Sequence, residues 1–457
     1  MRKYIPILIT LLVTGFAAQA QTLVLSQTSA SELPLTPEGG NPPLAEEVLP
    51  SRGVRGMSDE KDQNTTDTTL FEYFRVAAEN NPGLQARYKA FEAALQKVPQ
   101  VSSLPDPSFS FGYFISPVET RVGPQQAKFS LTQMFPWFGT LEAQGNAAAL
   151  MAEAKYQSFL DARNKLFFEV SAAYYPLYEL NRWKQIEQDN IDILQSYKTI
   201  ATSKFKNGIS PMTNVLRVDI MLNNANTNLS ILNKKEKPLL AAFNNLLNRN
   251  ENEVVVINDS LATESLPENF RRDSLIYNPM LNALDLKIKA SEAGETAAQK
   301  QGLPKLGVGL DYAIVGKRSG VSMPDNGKNI LMPMVSVSIP IFRKKYKAAE
   351  KEAQIMQENY SLQKEETINS LSSNYESAWF QIQQQKELID LYKQQIQETR
   401  QTLTLLFSAY GNSGKDFEEV LRMQQQLLKY EKMMATAEVQ YQIALAKLNY
   451  ITAKTYQ

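Results

Sequence analysis

Residues 368–410 read INSLSSNYESAWFQIQQQKELIDLYKQQIQETRQTLTLLFSAY, with apolar side chains at every seventh position: Ile368, Tyr375, Ile382, Ile389, Ile396, Leu403 and Tyr410. A straight α-helix drifts against a seven-residue repeat, so a repeat held this long implies left-handed supercoiling about a neighbouring helix. Leu371, Ala378, Tyr392 and Leu406 fill the second seam position, while Gln385 and Thr399 interrupt it. The helical stretch begins near Arg343; at ~1.5 Å per residue it is on the order of 100 Å long, against a mean of ~11 to 12 residues for helices in globular domains. A stripe of this kind by itself suits a structural rod as well as anything else.

The surrounding chain contains the same unit twice. Residues 139–205 predict a second helix of similar length, with Phe167, Val170, Tyr174 and Leu177 on one face and Ile186, Ile193 and Ile200 at sevens. Pro176 is expected to bend it. Asn207-Gly208-Ile209-Ser210-Pro211 then reverses the rod, Gly suiting a helix end and Pro the start of the next. Further anchors recur in order: Asn81-Pro82 with Asn278-Pro279, Leu104-Pro105 with Leu303-Pro304, and Tyr113 with Tyr312. Pro136-Trp137-Phe138 matches Pro340-Ile341-Phe342, and Val215-Leu216-Arg217 matches Val420-Leu421-Arg422. The offset drifts only from about 197 to about 205, which is a tandem duplication.

Between the helical segments the period changes from 3.6 to 2. Phe109, Phe111 and Tyr113 alternate with Ser108, Ser110 and Gly112; Phe129, Leu131, Gln133 and Phe135 return after an expected loop at 116–125. In the second copy Leu306, Val308, Leu310, Tyr312 and Ile314 alternate with Gly307, Gly309, Asp311 and Ala313, and Val335, Val337, Ile339 and Ile341 with small residues. Such strands suit a half-buried hairpin, or a transmembrane barrel with one face in lipid and one in water. The alternation leaves either face of each hairpin open to the lipid role, and Tyr113 and Tyr312 suit an interface belt or a packed core.

Met1-Arg2-Lys3, the apolar run 4–16 and Ala17-Ala18-Gln19-Ala20 read as a signal peptide over 1–20. Residues 21–68 form a Ser-, Thr- and Pro-rich leader expected to be disordered in the periplasm. The first repeat spans 69–250, with strands 106–115 and 127–136, a long helix 139–205 and a helix 212–248. A linker at 251–272 leads to the second repeat, 273–457, with a helix 280–300, strands 305–315 and 332–341, a long helix 343–409 and a helix 416–455. No other segment is long and apolar enough for a transmembrane helix, so membrane insertion requires a barrel.

Composition excludes several classes. The 48 basic and 48 acidic residues balance, which disfavours nucleic acid as a partner. Cysteine and histidine are both absent, which removes disulfides, thiolate nucleophiles, Ser-His and Cys-His catalysis and His-bearing metal sites. No carboxylate pair sits in a recognisable catalytic context, so the chain reads as a non-enzyme without cofactor. Four strands cannot close a barrel wide enough for a pore, whereas three copies would supply 12. The expected fold is therefore mixed α plus β-barrel: tandem-duplicated coiled-coil hairpins with two β-hairpins, trimerising into a 12-strand barrel and a helical tunnel.

The double unit, together with Phe205, Gly208, Asn214, Val215 and Leu216 and their second form at Tyr410, Gly411, Glu419, Val420 and Leu421, resembles the TolC-type outer-membrane channel family. The resemblance covers about Leu70 to Lys454. It implies a homotrimer in the outer membrane of a Gram-negative-type cell, with outer-membrane lipid around a barrel and a long periplasmic tunnel. It further implies a passive exit duct for small molecules or ions, joined to a periplasmic adaptor protein and an inner-membrane pump. The alternatives are an exit channel for type I protein secretion and a non-conducting periplasmic coiled-coil stalk.

Family members narrow the tunnel with acids just after the second helical reversal, and the matching place here holds Asp416, Glu418 and Glu419, with Arg422 at a second family acid position. A ring of Glu419 with Arg422 either latches a closed state by ion pairing or leaves a weak cation filter. The same acids also suit an ordinary helix N-terminus, where each contributes ~0.3 to 1 kcal/mol. The reversals at Lys206, Asn207, Gly208, Ile209 and Ser210 and at Gly411, Asn412, Ser413 and Gly414 resemble adaptor-docking tips. Gln133-Met134-Phe135-Pro136-Trp137-Phe138-Gly139 resembles the strand-to-helix junction of the heavy-metal efflux branch, although the absence of His and Cys argues against tight soft-metal binding.

Overall fold

The computed structural model describes residues 65–257, 261, 272–320, 322–413 and 417–453. The expected signal peptide and nearly all of the expected leader lie outside the described residues, as do most of the linker and both Gly414 and Asp416.

The first repeat opens with α1 (Thr65–Asn80), α2 (Pro82–Leu95) and α3 (Lys97–Ser102), and α1 thus begins inside the segment expected as leader. Pro99 falls in the first turn of α3, where its missing N–H has no intrahelical partner to lose. A hairpin of β1 (Ser108–Thr120) and β2 (Gly123–Phe135) follows, then the long helix α4 (Thr140–Lys206) and its return partner α5 (Met212–Leu246). A 3-10 turn, Arg272–Tyr277, leads into the second repeat: α6 (Pro279–Gln301), β3 (Lys305–Val315), β4 (Ile330–Ser338), α7 (Lys344–Ser413) and α8 (Phe417–Ile451).

The recurring Asn-Pro pair has the same task in both copies. Asn81 Oδ1 accepts from the Leu84 N–H at the start of α2, and its Nδ2 donates to the Leu246 carbonyl at the end of α5, 2.9 Å away. Asn278 accepts from the Met280 N–H and donates to the Ile451 carbonyl at 3.0 Å, at the end of α8. One amide thereby caps a helix start and satisfies a helix-end carbonyl, two positions that otherwise lack intrahelical partners.

All four strands form one antiparallel sheet in the order β1-β2-β3-β4. The central pair, β2 with β3, joins the two repeats; Phe129 faces Tyr312 and Leu131 faces Leu310. The loop expected at 116–125 contracts to a turn, because β1 continues through an irregularity between Tyr113 and Val118 and Thr120 pairs with Gly123. Pro117 lies within that irregularity and β1 lies at the sheet edge, where a strand tolerates the missing N–H.

α4 continues through Pro176 rather than ending there. Tyr174 and Leu177 on either side of the proline are buried in a core shared with Phe74, Tyr88, Phe91 and Phe243, so packing holds the helix across the gap in its hydrogen-bond ladder. In α7 the seam residues Tyr375, Ile382, Ile389, Ile396 and Tyr410 are buried and Leu403 is half-buried, with Tyr375, Ile382 and Ile389 in one core with Ala437, Tyr441, Ala444 and Leu448 of α8. Ile368 remains 46% exposed. α8 ends at Ile451, and α6 takes over as α7's partner there, with Lys364 Nζ 2.6 Å from Asp285 Oδ1 and Glu295 accepting from Gln354 and Gln357.

Candidate functional site

The sheet separates its side chains by chemistry. On one face the register aligns Phe109, Leu131, Leu310 and Pro333 in one row and Phe111, Phe129, Tyr312 and Leu331 in the next. Phe135, Leu306 and Val337 form a third row nearer the helices. Phe109, Phe111, Tyr113, Leu131, Val308, Leu331, Val335 and Val337 on this face are all exposed. The opposite face aligns Ser110, Ser130 and Asp311, and Thr132 with Gly309. There the Lys128 ammonium pairs with the Asp311 carboxylate. A hydrophobic face this large and continuous marks an interaction surface, because soluble monomers rarely leave one uncovered. Trp137, Phe138, Ile339, Ile341 and Phe342 extend it, also exposed, where the strands hand over to the helices. Among the described residues no helix is long and apolar enough to cross a membrane.

At the other end of the long helices both reversals meet. α4 ends with Gly208 at φ 74°, a left-handed conformation that suits glycine, and the Ile209 N–H turns back to the Lys204 carbonyl at 2.9 Å. Ile191, Leu194, Tyr197 and Ala201 of α4, Val215, Val218 and Leu222 of α5, Tyr410 of α7 and Phe417, Val420 and Leu421 of α8 form one buried cluster. Burial pushes the Tyr410 hydroxyl pKa up. Lys204 Nζ donates to the carbonyls of Tyr410 at 2.9 Å and Gly411 at 3.0 Å, placing a cation from the first repeat near the α7 C-terminus.

Of the sequence-selected constriction residues, Glu419 and Arg422 pair with each other one turn apart on α8. Glu418 instead meets Arg217 of α5, with Nη1 2.7 Å from Oε2. Lys206, Asn207, Gly208 and Ile209 are exposed, as is Gly411, while Ser210 is buried and its Oγ accepts from the Asn214 amide at 2.8 Å. Asn412 and Ser413 lie in the last turn of α7. Sequence reasoning did not single out Lys204 or Arg217. The repeat alignment held a signal for the second, because Arg217 and Arg422 each follow Val-Leu.

Sequence reasoning also missed a polar layer midway along the helices. Glu187 of α4 is buried and contacts Lys432 of α8, and the Asn228 amide of α5 lies 3.4 Å from its Oε1. Gln424 of α8 donates to Asn190 Oδ1 at 3.4 Å, and the Trp183 indole N–H donates to the Lys432 carbonyl at 3.3 Å. Nearer the sheet, the Tyr450 hydroxyl donates to Asp161 Oδ1 at 3.3 Å. Burial pushes the Asp161 carboxyl up and, together with that carboxylate, pushes Tyr450 up to about 12.

Residues 271–454 match the family model for outer membrane efflux protein. A search of curated proteins gives no match. Among solved structures, CusC is 16% identical, with 92% of this chain and 99% of CusC covered at a TM-score of 0.70. VceC from Vibrio cholerae is 14% identical, covering 85% of this chain and 97% of VceC at 0.69. The open state of MtrE from Neisseria gonorrhoeae is 16% identical, covering 84% and 88% at 0.65. The fold is that of the TolC-type outer-membrane channels.

Proposed function

We propose that three copies of this chain close a 12-strand barrel in the outer membrane and form the passive exit duct of a tripartite efflux system. Edge β4 of one copy pairs with edge β1 of the next. The exposed apolar sheet face meets lipid, the polar face lines the passage, and the helices form a tunnel across the periplasm. Small molecules or ions leave through it when an inner-membrane pump and a periplasmic adaptor engage the tip at 206–210 and 411–414. Asp416, Glu418, Glu419 and Arg422 constrict the tip.

The observation that supports this reading best is the sheet: four strands of 9 to 13 residues, one face apolar and exposed in successive rows, and a strand edge free on each side. Strands of ~9 to 11 residues cross a bilayer at the usual tilt. A non-conducting stalk has no use for such a face.

The test is single-channel conductance of purified protein in planar bilayers, comparing wild type with Glu419→Ala. A steady, small conductance that rises or changes its cation selectivity in the variant supports the duct and its constriction. Unchanged conductance removes Glu419 from the constriction but leaves the duct. Folded protein that neither inserts nor conducts overturns the reading in favour of a stalk.

A further inference from the structure

The start of α7 breaks a rule that its counterpart in the first repeat keeps. Residues 343–347 read Arg-Lys-Lys-Tyr-Lys, so the first turn of α7 holds three lysines and no acid, with Arg343 just before it. The N–H groups of a helix start carry partial positive charge, which favours acids there and disfavours cations. The anchors Pro136-Trp137-Phe138 and Pro340-Ile341-Phe342 align these five residues with Gly139, Thr140, Leu141, Glu142 and Ala143. The start of α4 therefore has an acid and no cation. Arg343, Lys344, Lys345 and Lys347 are all exposed, and among the described residues none of them takes part in an ion pair. The turn is nevertheless anchored, because a Cβ on Gly302 would stand 3.4 Å from the Cβ of Tyr346, which puts Tyr346 against the junction of α6 and β3.

The four cations follow an apolar stretch without a break. Ile339, Ile341 and Phe342 precede them, with Phe342 83% exposed, and Trp137 and Phe138 are exposed at the matching end of β2. Lys305, also exposed, starts β3 opposite Ser338 at the same end of the sheet. Going from the sheet toward the helices, the surface thus changes from apolar and aromatic to basic. That is the order a membrane boundary requires, with aromatic rings at the headgroup level and long cationic side chains reaching past them. Clusters of Lys and Arg beside a membrane attract anionic headgroups, and lipid phosphates supply the negative charge that the protein itself withholds from this turn.

We propose that Arg343, Lys344, Lys345 and Lys347 bind the phosphates of anionic phospholipids in the leaflet from which the helices depart. The proposal rests on the reading of the strands as a transmembrane barrel, which makes that leaflet the periplasmic one. Three copies present three such basic patches, one at each α7 start, and the first repeat contributes none.

The test places trace spin-labelled phosphatidylglycerol or phosphatidylcholine in phosphatidylcholine vesicles that hold the protein, and reads by electron paramagnetic resonance how much of each the protein immobilises. The expected result is a preference for phosphatidylglycerol of roughly twofold or more. It should shrink as salt rises from ~0.05 to ~0.5 M and vanish when Arg343, Lys344, Lys345 and Lys347 are all replaced by Gln. Replacing Lys234 and Lys237, exposed on α5 and away from the sheet, by Gln should leave it unchanged. Equal immobilisation of the two lipids, a preference that survives the quadruple replacement, or one that the α5 replacements also remove refutes the patch. If inorganic phosphate at constant ionic strength abolishes the preference, the occupant is a free anion and the lipid assignment fails. In neutral detergent the quadruple variant should unfold no earlier than wild type, since its helix start loses only unfavourable charge. Earlier unfolding would show that the cations hold the helix, and would overturn the proposal. Bilayer conductance of the same vesicles separates the two readings: current without a lipid preference refutes this patch, whereas a preference without current refutes the duct and leaves the lipid contact.

Discussion

Replacing Lys432 by Met should destabilise the helical body by about 3 kcal/mol, because it strands a charge that the fold has removed from water. Glu187 is 0% exposed, and its remaining partner would be the Asn228 amide at 3.4 Å, a long hydrogen bond. Removing one member of a buried pair costs ~3 to 5 kcal/mol. The Lys432 side chain retains 23% exposure, so water reaches one end of the pair and the lower end of that range applies. With an unfolding entropy of ~2.1 cal/mol/K per residue over roughly 390 residues, the loss corresponds to a drop in Tm of about 4 °C for a single cooperative unit. Glu187→Leu combined with Lys432→Met should lie within about 1 kcal/mol of wild type, because an apolar pair of similar volume replaces an ionic one at little net cost. The assay is denaturant unfolding of the detergent-solubilised protein followed by circular dichroism, for wild type, both single variants and the double variant. A Lys432→Met loss below about 1 kcal/mol, with a double variant no better than the sum of the singles, would show that solvent screens the pair and would refute the argument.

Ile382→Ala, at a seam position with 0% exposure, should cost ~2 to 5 kcal/mol in the same unfolding assay, whereas Ile368→Ala at 46% exposure should cost under about 1. Gly123→Ala should weaken the β1–β2 turn by ~1 to 3 kcal/mol, seen as an earlier loss of the amide I sheet band on heating: φ is 129°, and the new Cβ would stand 2.1 Å from the Gly316 carbonyl oxygen. Burial raises the folded-state pKa of Asp161 above its unfolded value of ~3.9. Its contribution is therefore fully present below about pH 4 and is lost as pH rises through the folded pKa, so Asp161→Asn should gain Tm relative to wild type between pH 4 and pH 7.

The parts of the fold that were legible in the sequence are those where one physical rule acts alone. The heptads of α7 imply a buried seam because the repeat length fixes which side chains face the partner, and Tyr375, Ile382 and Ile389 face α8. Period-2 alternation placed β3 for the same reason. The loop expected at 116–125, which contains Pro117, proved to be largely strand, because a proline breaks an element only where its N–H is needed and the edge of β1 does not need it. Which face of the shared sheet collects the apolar rows of both hairpins was not legible, because alternation is symmetric until register across all four strands is known. The Glu187–Lys432 layer was also invisible: its members are 245 residues apart, and each alone looks like an ordinary charge on a helix surface.

The duplication also explains why the tip is not symmetric. Arg217 and Arg422 occupy equivalent places, each after Val-Leu, yet the positions that hold Glu418 and Glu419 in the second copy hold Thr213 and Asn214 in the first. The acids of one repeat must therefore serve the arginines of both. Glu419 stays within α8 and pairs with Arg422, which leaves Glu418 facing outward to reach Arg217 across the repeat boundary at 2.7 Å. Both partners of that crossing pair are well exposed, and such pairs contribute only ~0 to 1 kcal/mol. The apolar cluster of Tyr197, Val218, Tyr410 and Val420 beneath it holds the two reversals together far more strongly. Breaking the ionic link thus changes the charge presented at the tip without unfolding it, and the asymmetry places that changeable link at the junction between repeats rather than within either one.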